Sequence, residues 1–209
     1  QIYKKISYIC VSLKNPIAMK RFFSLLVILS VWFLSFGEAP VKLFDVGEPI
    51  KFCGEKYHFA WSQNDGKMFY VQEYLPKGDS FDNLKTMFTV TLLFVDVHPI
   101  DAVRLKVAEL DERKKNDPII NYQVAENGDM YLLDFIVSDY NGKEMNCVEL
   151  DIYRYSSVKV NGKDAILLCF YTERAYGDDI ESFIKSIPEK RNKLYDEIGK
   201  INLDIKFVK

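Results

Sequence analysis

Cys53 and His58 bring a thiol and an imidazole five residues apart, a spacing that suits half of a metal site or a nucleophile with its base. Either use needs more, namely further ligands or a residue that orients the imidazole. The only other histidine, His98, precedes Pro99 and reads as a helix-start residue. A serine triad would have to draw on one of these two histidines, and no Gly-x-Ser-x-Gly elbow occurs. A strand histidine beside a structural cysteine is the expected reading. No catalytic residue, metal ligand or cofactor is assigned.

Glu149 and Asp151 offer a second possibility. Two residues apart on a strand, they share a face with Tyr153 and Tyr155. Paired carboxyls can do acid–base work or cleave glycosides, although on a strand they more commonly face solvent or pair with cations. The register of the hairpin at Asn161-Gly162 sets Glu149 opposite Arg174, which favours a cross-strand ion pair. Arg154 is the less ordinary residue. It alternates in phase with Val148, Leu150 and Ile152 and so points to an apolar side, where a guanidinium must find a carboxylate or carbonyls, or line a cleft. Acidic helix ends at Asp178–Asp179 or the turn at Asp82 could partner it. The run Arg174-Ala175-Tyr176-Gly177-Asp178-Asp179 sits at a strand-to-helix corner that could hold an anion. Asp178 and Asp179 oppose that and fit better as N-cap and dipole partners. The binding candidates are therefore Arg154, Tyr155, Arg174 and Tyr176.

The elements that must position these residues follow from periodicity. Tyr57–Ser62 and Met68–Leu75 read as strands joined through Asn64-Asp65-Gly66. After Pro76 and Gly78, Ser80 is a good N-cap. Phe81, Leu84 and Phe88 fall at helical spacing, which predicts a helix to about Leu92, against the β-branched run TVTLLFV. Pro99 opens a second helix with Ile100, Val103, Val107 and Leu110 on one stripe. Ile119–Ala125, Met130–Ser138, Cys147–Val160 and Asp164–Glu173 then alternate with period two, separated by Asn-Gly steps at 127, 141 and 161. Ala165–Tyr171 is apolar throughout and should be covered on both faces. A last helix carries Ile180, Phe183, Ile184 and Ile187, with Pro188 kinking or restarting it before Leu194, Ile198 and Ile201. The expected fold is one α+β domain, a helix/sheet/helix sandwich of three helices on both faces of an antiparallel sheet of about six strands.

Composition sets the compartment. Met19, Lys20 and Arg21 precede fifteen uncharged residues from Phe22 to Phe36, and Ser35-Phe36-Gly37 fits a small-x-small cleavage pattern. The expectation is a signal peptide at 19–37 with cleavage after Gly37 and no permanent membrane anchor, an upstream segment at 1–18 outside the native structure, and a mature domain at 38–209 that is periplasmic or extracellular. Removing 1–37 takes away five bases and no acid, so twenty-three bases face thirty acids. A charge of −7 without a basic block argues against nucleic acid and anionic membrane surfaces. Of the three cysteines left, Cys147 and Cys169 cannot bridge. With Val160 opposite Lys163, Cys169 lies opposite Arg154, seven positions or roughly 23 Å along the strand from Cys147. Cys53 could reach either.

The element order and the segment YVQEYLPKGDSFDNLKTMFTV, residues 70–90, resemble the PsbP-like superfamily over most of residues 57–200. The closest likeness is to its uncharacterised secreted bacterial members. The resemblance implies a non-enzymatic binding or assembly role, with a protein or small-molecule partner that it does not name, and no family site residue maps onto this chain. The alternative is a small secreted hydrolase using the paired carboxyls or Cys53 and His58.

Overall fold

Turn chemistry sets the strand register. Asn161 and Gly162 both take positive φ, at 50° and 77°, which is what a two-residue hairpin turn compatible with strand twist demands. That turn pairs Val160 with Lys163 and carries the register back through Arg154 opposite Cys169 and Glu149 opposite Arg174 to Cys147 opposite Tyr176. All three register expectations hold, and Cys53, Cys147 and Cys169 are free thiols. At the other end, Asp65 closes its loop by accepting hydrogen bonds on Oδ1 from the amides of Lys67, Met68 and Phe69 at 2.9, 2.7 and 3.0 Å.

The structure, a computed structural model, describes residues 4–5, 40–141 and 144–208. The signal-peptide pattern at 19–37 lies outside the described residues. The described strands are β1 (Lys4–Lys5), β2 (Phe44–Asp45), β3 (Ile50–Phe52), β4 (Glu55–Asn64), β5 (Phe69–Pro76), β6 (Thr86–Leu93), β7 (Asn121–Asn127), β8 (Met130–Asn141), β9 (Glu144–Val160), β10 (Lys163–Tyr176) and β11 (Lys206–Phe207). The described α-helices are α1 (Pro99–Arg113) and α2 (Asp179–Lys200). The main sheet is antiparallel in the order β1-β7-β8-β9-β10-β6-β5-β4-β3, and β2 pairs with β11.

A helix/sheet/helix sandwich on about six strands is therefore not the architecture. The sheet has eight strands from β3 to β10, with two-residue β1 added at one edge, and strands outweigh the two helices. The largest departure is at Ser80. Ser80 makes no capping hydrogen bond, the helical geometry lasts only from Phe81 to Asn83, and Leu84 is already extended at φ −61°, ψ 111°. Thr86–Leu93 then runs as β6 between β5 and β10. The β-branched residues and a hydrogen-bonded neighbour on each edge outweigh a cap and three helically spaced apolar residues, since propensity yields to tertiary pairing. α2 runs through Pro188 without restarting, and Asp178 stands at the N-cap position with Asp179 in the first turn as expected, though without a capping hydrogen bond.

The Ile152 face of the sheet carries one apolar cluster: Leu132, Leu150, Ile152, Cys169, Phe88 and Tyr74, closed over by Phe183, Ile187, Leu194 and Ile198 of α2. Among the described residues no third helix completes this cover. The chain from β2 through β3 does so, with Phe44, Val46, Ile50 and Phe52 all buried, and Phe207 of β11 packs edge-on against Phe44 and Tyr70. Buried Gln72 is the polar anchor of that segment. Its Oε1 accepts from the amides of Leu43 and Phe44, and its Nε2 donates to the Phe44 carbonyl at 2.9 Å and to the Tyr74 hydroxyl. On the opposite, Tyr153 face, Lys106 of α1 stands over the rings of Phe135 and Tyr153 at 5.0 and 5.9 Å.

Gln72→Leu should therefore lower stability by about 2–4 kcal/mol, because two buried amides and a carbonyl lose their partner together. Urea unfolding checks this, and a loss under 1 kcal/mol would mean that water replaces the amide.

Candidate functional site

The alternation that aimed Arg154 inward also sets a row of polar residues on the Tyr153 face. Glu149 and Asp151 of β9 stand opposite Arg174 and Thr172 of β10. Glu73 of β5 lies opposite Thr89 of β6 on the same face. A bulge at Ala60 in β4 brings Trp61, rather than its neighbour, opposite Glu73. Arg174 Nε donates to Glu149 Oε2 in the expected ion pair. Burial opposes the Arg174 charge, yet the Glu149 carboxylate and hydrogen bonds to Glu149 and Tyr176 raise its proton affinity further.

Asp151 is 2% exposed. Burial, the adjacent Glu149 carboxylate and a hydrogen bond to it push the Asp151 carboxyl well above the ordinary carboxylate range. Thr172 Oγ1 donates to Asp151 Oδ1 at 2.6 Å. Two neighbouring carboxyls, one with its proton affinity raised by burial, are the kind of pair that general acid–base catalysis uses. Its location is less suited to that role, because neither carboxyl lines either of the two surface pockets described below. Burial likewise pushes Glu73 up to about 7, with Arg174 opposing.

Arg154 lies on the other face, away from this row. Its Nη1 donates to the carbonyls of Ile198, at 3.3 Å, and Ile201, so it closes the C-terminus of α2, where a cation is favoured by the helix dipole. Neither Asp178–Asp179 nor Asp82 partners it. A second charged anchor of α2 went unread in the sequence. Asp134, fully buried, receives Arg191 Nη2 at 3.0 Å and the Tyr195 hydroxyl. Tyr155 is buried, and its surroundings raise its phenol's proton affinity well above ordinary, burial foremost.

The strand-to-helix corner forms a shallow pocket of about 320 Å³ lined by Lys85, Arg174, Tyr176, Asp179, Ser182 and Lys190 among others. Tyr176 holds it to the β6 side by donating to the Leu84 carbonyl at 2.9 Å, and the Arg174 amide donates to the Lys85 carbonyl at 2.8 Å. Lys190 bridges to Glu173 at 2.7 Å over the Phe183 ring. A second pocket, of about 290 Å³, lies between Pro49 and Leu203. Of the four candidates, Arg174 and Tyr176 thus come together, while Tyr155 and Arg154 lie elsewhere.

Cys53 and His58 do not form a pair. Cys53 packs against the Ile152-face cluster, whereas His58 is exposed opposite Leu75 on the other side of the strand. Among the described residues no group of three or more His, Cys, Asp or Glu could hold a metal ion. Glu73 could have been found earlier, since it alternates in phase with Phe69 and Val71 just as Arg154 does with Leu150 and Ile152.

Two measurements check this electrostatic picture. Glu73 has a raised pKa in the folded state, so its contribution to stability is complete below pH about 4.5 and is lost as pH rises to about 7. Glu73→Gln should thus stabilise the protein by about 2 kcal/mol at pH 8 and scarcely at pH 4. Arg174→Met alone should cost about 2–3 kcal/mol by stranding Glu149, and adding Glu149→Leu should recover most of it. Equal losses in the single and double variants would show that the pair is fully solvated.

A protein-family model matches residues 44–203, more than half of the chain, spanning β2 to the end of α2. No curated protein matches, and no solved structure does. Among the described residues no helix is long and apolar enough to cross a membrane. The matched span holds the row of acids, the Arg154 cap and the corner pocket alike, and the chain belongs to the protein family, of uncharacterised function, whose model covers residues 44–203.

Proposed function

We propose that the protein is a binding or assembly module, acting after export in the periplasm or outside the cell, that seats a polar segment of a protein or small-molecule partner at the β10–α2 corner. The pocket there carries the reading. Lys85, Tyr176 and Ser182 come to one open surface, backed by the Lys190–Glu173 bridge, while Glu73, Glu149 and Asp151 are not among its lining residues. An exposed lysine beside Ser182, Asp179 and a partly exposed tyrosine suits reversible recognition of a polar group. The charge of −7 over residues 38–209 favours a partner other than nucleic acid, and the export pattern at 19–37 and the PsbP-like resemblance favour a secreted, non-enzymatic role. A hydrolase remains the second reading, carried by buried Asp151, its proton affinity raised by burial, beside Glu149.

A photo-crosslinking residue in place of Ser182, in the full chain expressed in its own cells, tests the proposal. One partner should be trapped, and Lys85→Glu should cut the yield at least fivefold without shifting the thermal midpoint by more than about 2 °C. Unchanged capture in Lys85→Glu would sink the corner reading. Turnover of an ester or glycoside that Asp151→Asn abolishes would replace it with the hydrolase.

A further inference from the structure

At one end of the sheet, among the described residues, β7 is covered only by the two-residue β1. Edge strands expose unpaired amides and carbonyls that can template another strand. Seven residues of β7 are available on that side, and among the described residues only Lys4 and Lys5 meet them, antiparallel, with Lys4 in register with Glu126 and Lys5 with Ala125. The edge is thus seen accepting an extended segment remote in sequence. Its surroundings are acidic. Glu126 and exposed Asp129 both lie near Tyr131, and among the described side chains neither has an ion-pair partner. Further along, Tyr122 donates to Asp111 of α1 at 2.7 Å, which holds a third carboxylate beside the strand. Asp101, also near Tyr131, is already satisfied by Arg104 at 2.9 Å.

We propose that the outer edge of β7 is a strand acceptor for an extended, lysine-bearing segment, held by backbone pairing and selected by Glu126 and Asp129. Lys4–Lys5 shows the mode in the full chain, and once export removes residues 1–37 the occupant is a partner's lysine-bearing segment. Backbone pairing supplies affinity in this mode and the flanking charges supply choice. The inference stands apart from the corner pocket, which lies by the β6 and β10 ends.

The probe is a synthetic peptide of residues 1–8, QIYKKISY, added to the full chain carrying Lys4→Pro and Lys5→Pro. In an antiparallel pair alternate residues point their amides at the partner, so the two prolines together remove the internal strand's bond. Amide resonances of Ala125 and Glu126 should shift on titration. The charge-reversed peptide QIYEEISY should bind at least tenfold more weakly, and Glu126→Lys should erase that preference. Absence of binding, binding that leaves Ala125 and Glu126 unshifted, or equal affinity for the two peptides would each overturn the proposal. If the double variant does not fold, the same titration on the unaltered chain reads the same amides through competition with Lys4–Lys5.

Discussion

Strand β10 has no charged residue between Ala165 and Tyr171, and every side chain in that stretch is buried. A backbone enclosed on both faces must have its amides and carbonyls hydrogen-bonded along both edges. The hairpin at Asn161-Gly162 supplies β9 on one side. Something apolar and extended has to lie on the other, and TMFTVTLL of β6 does. The demand passes outward, because β6 is itself buried almost throughout and requires β5. The sheet thus grows from β10 until it reaches strands that can end in solvent, and the helices are fitted onto what results.

That scheme puts polar side chains where water cannot reach them, and several find separate solutions. On the Ile152 face, Gln72 satisfies the backbone of the segment before β3, Arg154 satisfies the end of α2, and Asp134 gathers Arg191 and Tyr195. These contacts orient α2 and the N-terminal cover, which apolar packing alone would leave free to slide, since it has no direction. On the Tyr153 face the solution is partial. Arg174 neutralises Glu149, and the burden of the remaining acids falls on protons held by Asp151 and Glu73. The Tyr153 face therefore carries the two carboxyls whose proton affinity burial raises.

The surfaces suited to recognition lie where the sheet ends. The corner pocket forms where β10 stops and α2 begins, and the β7 edge is where pairing runs out. Both follow from finite strand length in an otherwise covered sheet.

Local sequence determined a great deal. Alternation named the burial side of Arg154, turn residues set the β9–β10 register and with it the Glu149–Arg174 pair, and an unbroken apolar run marked β10 as doubly covered. These rules act within a few residues, where steric and φ preferences are decided by the residues themselves. What lay beyond them was any choice made by a partner distant in the chain. Ser80 and the spacing after it favoured a helix until β5 and β10 claimed the segment from both sides. Arg154 had to wait for carbonyls 44 and 47 residues on, and Tyr176 for a carbonyl 92 residues back. Glu73 was in phase to be read as buried, yet its shift depends on enclosure by the folded sheet, with Arg174 opposing it. Only the tertiary structure decides such pairings, because the free energy that selects them comes from burial and hydrogen bonding between elements that the chain brings together last.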